Sequence, residues 1–372
     1  MRANGLIREN LDGMEDLDNK FVLRGVPHIQ ALRTSVDSNF GAHTGWSGDG
    51  APGSEERENN RAFMRIDGLG APSLRSFATG AVIQHFTRTL NRRPGVDFIL
   101  PTERQLIALE AYMLTVGRQG ELSLPLRLRG AVASRGQALF MDSAPGGAQC
   151  STCHFNAGAN VNPAIFGPLG LSGNQNFDTG IESLLDTPAR LLARPTPPVD
   201  DGQGRGPGDG TFNTPGLVEA ADTGPFFHNN SVTTLESAVE FYDSDEFNDS
   251  PAGRLIIAAT GSRVELDTMA VQNIAGFLRV INALESIRQA DALLVEARRT
   301  VRRRGINLTL ARDEMQDAID VLNGASLHPD AAAILQEAKV LATTFGSTRN
   351  NFRNLDRARA LLRNARGLMA AP

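Results

Sequence analysis

The chain has 372 residues, enough for two or three domains that each bury a core of their own. A net charge of -5 and an apolar fraction of 41% suit a soluble globular protein and argue against a nucleic-acid binder. No apolar run approaches the ~20 residues of a membrane helix, so no membrane span is expected. Positive charge is almost all arginine, with Lys20 and Lys339 the only lysines, which reads as coding bias and carries no function.

In chain order, Met1 to Asn10 show neither an apolar core nor a small-residue cleavage site, the marks of a secretory leader. Val26-Pro27-His28-Ile29 precedes a loop from Ser35 to Ala71. Ser73-Leu74 leads into Ala81-Val82-Ile83-Gln84-His85-Phe86. A helix from Thr102 sets Leu106, Leu109, Tyr112 and Met113 at three- and four-residue spacing, the pattern of a buried face. A further helix covers Arg135 to Phe140. Between Arg194 and Gly210 the sequence is rich in Pro and Gly and reads as a long surface loop. Thr214-Pro215-Gly216-Leu217 follows, then Thr223-Gly224-Pro225-Phe226-Phe227-His228-Asn229. Thr234-Leu235 leads into Ala238-Val239-Glu240-Phe241-Tyr242, and a helix from Asp267 carries Val271, Ile274, Phe277 and Leu278. Past Leu284 the pattern is helical and charged to the end. Arg298, Arg299, Arg302, Arg303 and Arg304 form a basic cluster there, either a solvated helix face or a docking surface for an acidic electron-transfer partner. Strand signal is almost absent.

The chemistry concentrates at Cys150-Ser151-Thr152-Cys153-His154. These are the chain's only two cysteines, and C-x-x-C-H is the attachment signature of c-type haem. Each thiol adds to one vinyl group of the same porphyrin, and the histidine sits under the iron. A disulfide across a two-residue gap would close a tight, strained loop. Zinc would need two more ligands, and no further cysteine exists to supply them. A thioredoxin-like pair would sit on a strand-to-helix unit, and none is visible. Covalent haem is attached after export, which implies a periplasmic or otherwise exported protein. The signal peptide that this requires is not present in the chain.

Three segments recur in order and point to internal duplication. Val26 to Ile29 pairs with Thr214 to Leu217, Ser73 to Phe86 with Thr234 to Tyr242, and the helix from Thr102 with that from Asp267. The second copy starts about sixty residues before Pro215, with a helix and the haem motif, whereas only 26 residues precede Pro27. The chain is therefore expected to begin partway through its first haem domain.

The segment Phe212-Asn213-Thr214-Pro215, through Thr223-Gly224-Pro225-Phe226-Phe227-His228 to Leu235 and Tyr242, resembles the bacterial di-haem cytochrome c peroxidase and MauG superfamily. The likeness runs from about Val22 to Leu284. It implies a high-potential haem in the second domain and a reactive haem in the first. It also implies a tyrosine as the far iron ligand, and Tyr242 stands at that place, fourteen residues after His228. The alternatives are a half-buried aromatic there, or Met141 or Met269 as the ligand. His228 would lie beside a haem propionate or ligate iron. Backbone carbonyls at Thr223 and Pro225 match a segment that holds calcium in the family. Trp46, the only tryptophan, falls in Trp46-Ser47-Gly48-Asp49-Gly50, which is similar to the inter-haem loop; it would relay electrons or simply anchor the core. His85 mirrors Tyr242 in the first domain and would ligate iron there or act as acid and base on peroxide. His28, His43 and His328 are assigned no role.

The expected fold is mainly α, with two cytochrome c-like domains at residues 1–125 and 126–287 and a helical extension at 288–372. The expected function is a peroxide- or oxygen-linked haem oxidoreductase with a redox partner such as a small cytochrome or cupredoxin. A mono-haem electron carrier or haem-binding subunit is the alternative. One haem c is expected in this chain, with a second if its motif precedes Met1.

Overall fold

A computed structural model describes residues 6–9, 22–26, 28–35, 45–46, 74–85, 88, 93–181, 184, 211–343 and 351–371. The loop expected at 194–210, most of that at 35–71, and His43 lie outside the described residues. The protein is mainly helical, as the sequence leads one to expect. Its strands are short antiparallel pairs: β1 (Leu6–Glu9) with β2 (Val22–Gly25), and β3 (Asn176–Asp178) with β4 (Thr211–Asn213).

The chain forms two compact units. The first gathers Met1–Leu122, Asp142–Gly216 and Thr223–Leu266, and the second gathers Ser123–Met141, Leu217–Asp222 and Asp267–Pro372. In the first unit, α1 (Leu74–His85) packs on α2 (Glu103–Met113), with Leu32, Leu74 and Met113 as their buried contact. Thr102 caps α2 through a capping box with Gln105. Only Leu106 and Met113 of the expected stripe are buried; Leu109 and Tyr112 are exposed, so the buried face of α2 is narrow. The first unit also holds α4 (Cys150–Cys153), α5 (Leu235–Glu240) and α6 (Pro251–Thr260).

The second unit is a helical bundle. Its α3 (Ala131–Met141) crosses α7 (Thr268–Arg299), which continues unbroken past residue 288. Asp267 caps α7 by accepting from the Ala270 amide. The crossing is close because Gly136 faces the backbone of Asn273: a Cβ there would lie 1.8 Å from the Asn273 carbonyl oxygen. Phe140 and Phe277, both fully buried, fill the next turn at 5.3 Å between rings. Three more helices follow: α8 (Arg304–Asn323), α9 (Pro329–Thr343) and α10 (Asn351–Met369).

Their shared core obeys a seven-residue rhythm. Ala283, Ile287, Ala290, Leu294 and Ala297 line α7; Leu308, Ala311, Met315, Ala318 and Leu322 line α8; Leu355, Ala358, Leu362, Ala365 and Met369 line α10. Alternate steps of three and four keep one stripe inward, and alternating Ala with larger residues lets the helices interdigitate closely. Arg359 forms a two-pronged ion pair with Asp291, and Arg357 pairs with Glu337.

Carboxylates crowd this unit. Glu219 and Glu285 are almost fully buried; Glu219 accepts from Gln289 at 2.5 Å, and Arg288 grips Glu285 at 2.6 Å. Burial first, then the neighbouring Glu285, pushes Glu219 up to about 7; burial and Glu219 push Glu314 up to about 8. Acids with a raised folded pKa hold protons that the unfolded chain has released, so their contribution to stability is lost as pH rises. Stability of the second unit should fall as pH climbs from 4.5 through about 7 and about 8. Denaturant titrations across that range check this, and Glu219→Gln should flatten the fall; an unchanged slope in the variant would contradict it. Gly136→Ala should cost about 1–3 kcal/mol in the same assay, because the added methyl meets backbone that cannot step aside.

Candidate functional site

Short motifs in the first unit set the Cys150–His154 turn. Gln149 enters it in the left-handed region at φ 60°, while its side-chain amide donates to the Ala144 carbonyl at 2.9 Å and its backbone N–H to Asp142 at 3.0 Å. The turn closes when the His154 amide donates to the Cys150 carbonyl, 3.0 Å away. Both sulfurs are free. Both residues are half-buried, and burial pushes each thiol up to about 12. Such thiols stay protonated and resist adventitious exchange.

His154 is held in one tautomer. Its Nδ1–H donates to the Pro215 carbonyl at 3.0 Å and shares itself with the Gly158 carbonyl at 3.2 Å. With the proton on Nδ1, the lone pair is on Nε2, which has no hydrogen-bond partner among the described residues. Burial lowers this imidazole to about 4, so it is neutral near pH 7. A porphyrin held by two thioethers requires two free thiols on one turn and a neutral imidazole with Nε2 open. This turn offers both.

The acceptor Pro215 is itself fixed by a buried amide lattice. Asn174 donates to the Ala159 and Thr214 carbonyls at 2.6 and 2.8 Å. Asn213 donates to the side chains of Asn174 and Asn176, and the Thr214 hydroxyl donates to the Gln175 carbonyl at 2.9 Å. On the neighbouring residue, the Gly216 carbonyl lies 3.2 Å from His28 Nε2. None of Gly158, Asn174 or His28 stands out in the sequence as a site residue. The cue in retrospect is an Asn-rich run bounded by short strands, since asparagine serves buried carbonyls well.

Tyr242 follows α5 in a single turn of tighter helix, half-buried among Phe227, Phe241 and Phe247. Its ring meets that of Phe247 edge-on at 4.8 Å. Burial first, then the Cys153 and Cys150 thiols, raises its pKa well above the usual phenol range. The segment after it is stapled. Asp243 accepts from the Leu266 amide at 2.8 Å, and buried Asn248 exchanges hydrogen bonds with Val264 at 3.0 and 3.1 Å. Met141 is half-buried at the end of α3 and Met269 is 62% exposed at the start of α7, both in the second unit.

Trp46 and His228 form a second group. The indole N–H donates to the Gly25 carbonyl at 2.8 Å, and the Trp46 carbonyl accepts from the Asn213 amide at 2.8 Å. His228 is buried, stacked on Phe212 at 3.8 Å and edge-on to Trp46 at 6.5 Å. Its carbonyl accepts from the Gly25 amide at 2.6 Å. Trp46 is therefore an anchor of the β2 end. It also starts a continuous bonded route: Trp46 carbonyl, Asn213, Thr214, Pro215 carbonyl, His154 Nδ1. Ser47 to Gly50 and the His85 side chain lie outside the described residues, and the backbone of His85 ends α1. Thr223 is half-buried and Pro225 exposed in the turn before Phe226.

Comparisons with protein-family models, curated proteins and solved structures returned no match. No described helix is long and apolar enough to cross a membrane.

Asn174→Ala strips donors from two carbonyls and should cost about 1–3 kcal/mol for each group left buried and unsatisfied. Trp46→Phe removes one N–H bond and should cost about 1 kcal/mol. Chemical denaturation of both variants checks the order; an Asn174→Ala effect no larger than that of Trp46→Phe would contradict the lattice.

Proposed function

We propose that this chain is an exported c-type haem oxidoreductase, with the haem bound through Cys150 and Cys153, ligated by His154, and faced by Tyr242. The observation that carries the reading is the His154 tautomer, held by Pro215 and Gly158 with Nε2 left open beside two free thiols. When bound, the haem supplies an iron that changes oxidation state and reacts with peroxide or oxygen. Residues of the chain do the rest. Pro215 and Gly158 draw on the Nδ1 proton and so raise the donor strength of the imidazole. Tyr242 would offer the iron a hard oxygen, which would favour the ferric state. The rings of Phe227, Phe241 and Phe247 pack on the Tyr242 ring and fix where it sits.

Trp46 serves as the electron entry on the bonded route to His154, with a small cytochrome or cupredoxin as donor. The cytochrome c-like architecture and the kinship with di-haem peroxidases belong to the same proposal. One observation favours a second reading: the sequence holds a single C-x-x-C-H. In that reading the protein is a mono-haem electron carrier or a haem-binding subunit.

One measurement separates these, and a second tests the Tyr242 ligand. Protein matured in a host that attaches haem, then reduced and mixed with hydrogen peroxide, should be reoxidised rapidly in the enzyme reading. A reduced form that peroxide leaves untouched supports the carrier. Tyr242→Phe should change the ferric absorption and electron paramagnetic resonance spectra through loss of the sixth ligand; unchanged spectra would refute ligation.

A further inference from the structure

The turn between α7 and α8 carries residues that the haem site leaves unused. Helices α7 and α8 are consecutive, packed partners, so residues 300–303 form the tip of a helical hairpin. Three of the five arginines there are taken up locally. Arg298 pairs with Asp356, Arg299 with Glu296 at 3.3 Å, and Arg304 donates to the Ala297 carbonyl at 2.8 Å. Arg298 and Arg304 also lie over the Phe352 ring at 5.7 and 5.3 Å. These contacts finish the C-terminus of α7 and account for their positive charge by structure alone.

Arg302 and Arg303 remain. Both are exposed, and neither has an ion pair among the described residues. Beside them, Val301 is 74% exposed and Ile306 63%. Ile306 and Leu310 stand on the face of α8 opposite the inward stripe of Leu308, Ala311 and Met315, so they bury nothing within the bundle. The same outer face turns acidic further along, at Asp313 and Asp317. The charge gradient therefore runs along the hairpin, positive and apolar at the tip and negative below it, in a chain whose net charge is -5.

From this gradient we infer that the α7–α8 tip docks on an anionic lipid surface, with Arg302 and Arg303 at the headgroups and Val301 and Ile306 in the interface. Val301, Arg302, Arg303 and Ile306 are all exposed and adjoin one another along the chain. Aliphatic side chains set beside exposed arginines suit a lipid headgroup layer, where the apolar groups leave water and the charges meet the phosphates. Attraction at the tip and repulsion at Asp313 and Asp317 orient the hairpin tip-first. The contact is peripheral, and it does not depend on the haem.

The test is co-sedimentation of the full chain with vesicles of phosphatidylcholine alone and of phosphatidylcholine mixed equally with phosphatidylglycerol. Binding is expected to the mixed vesicles only, and to weaken with salt. Arg302→Glu and Arg303→Glu should each weaken it about five-fold or more, since each arginine at an anionic surface contributes about that factor. Val301→Asp should weaken it with all arginines in place. The substituted side chains are exposed, and circular dichroism will show whether each variant keeps its fold. Equal binding to both vesicle types, or binding that the glutamate variants leave intact, would overturn the proposal. Binding to neither would also overturn it and leave an acidic protein as the partner of this tip.

Discussion

The bond from His154 Nδ1 to the Pro215 carbonyl is the constraint on which the site depends. It joins residues 61 positions apart and decides three things at once: the tautomer, the direction of the open nitrogen, and the distance between the Cys150 turn and the strand-borne segment Asn213–Pro215. Much else in the first unit serves to keep that carbonyl in place. Asn174 and Asn213 spend buried amides on it, Gln175 takes Thr214, and Trp46 takes the Asn213 amide. A buried amide lattice is costly unless every member is paired, so its presence here marks a part of the chain whose position matters.

The second unit is built on different physics. Its stability comes from a seven-residue apolar rhythm in which alanine recurs on each of α7, α8, α9 and α10. Against that regular core, the buried Glu219 and Glu285 are expensive, and the raised pKa of Glu219 makes the unit sensitive to alkali. Glu219 also lies only four residues after Pro215, on the segment Leu217–Asp222 that belongs to the second unit.

Much of this was legible in the sequence, for identifiable reasons. Cys150, Cys153 and His154 were readable because spacing alone encodes a turn that places three donors together. Thr102 and Asp267 were readable as helix starts because caps are local chemistry, and each stands one residue before its helix. The stripe of α7 at Val271, Ile274, Phe277 and Leu278 is buried as its spacing requires, whereas Leu109 and Tyr112 of α2 are exposed because a short helix buries only what its neighbours cover. Tyr242 stands out by its place in the chain, and the Asp243 and Asn248 bonds hold the segment that follows it. What the sequence hid was nonlocal. No period or motif links His154 to Pro215, or Gly136 to Asn273, because those pairings arise only when distant segments pack.

A covalent haem on the Cys150–His154 turn would show itself first in the haem content of the chain. Protein matured in an export-competent host should be extracted with acidified acetone and its residue assayed as the pyridine haemochrome, alongside Cys150→Ser and Cys153→Ser. One haem per chain that extraction does not remove is expected, with the spectrum of two thioether links, and a shifted spectrum when either cysteine is replaced. A chain that carries no haem, or one that extraction removes, would contradict it.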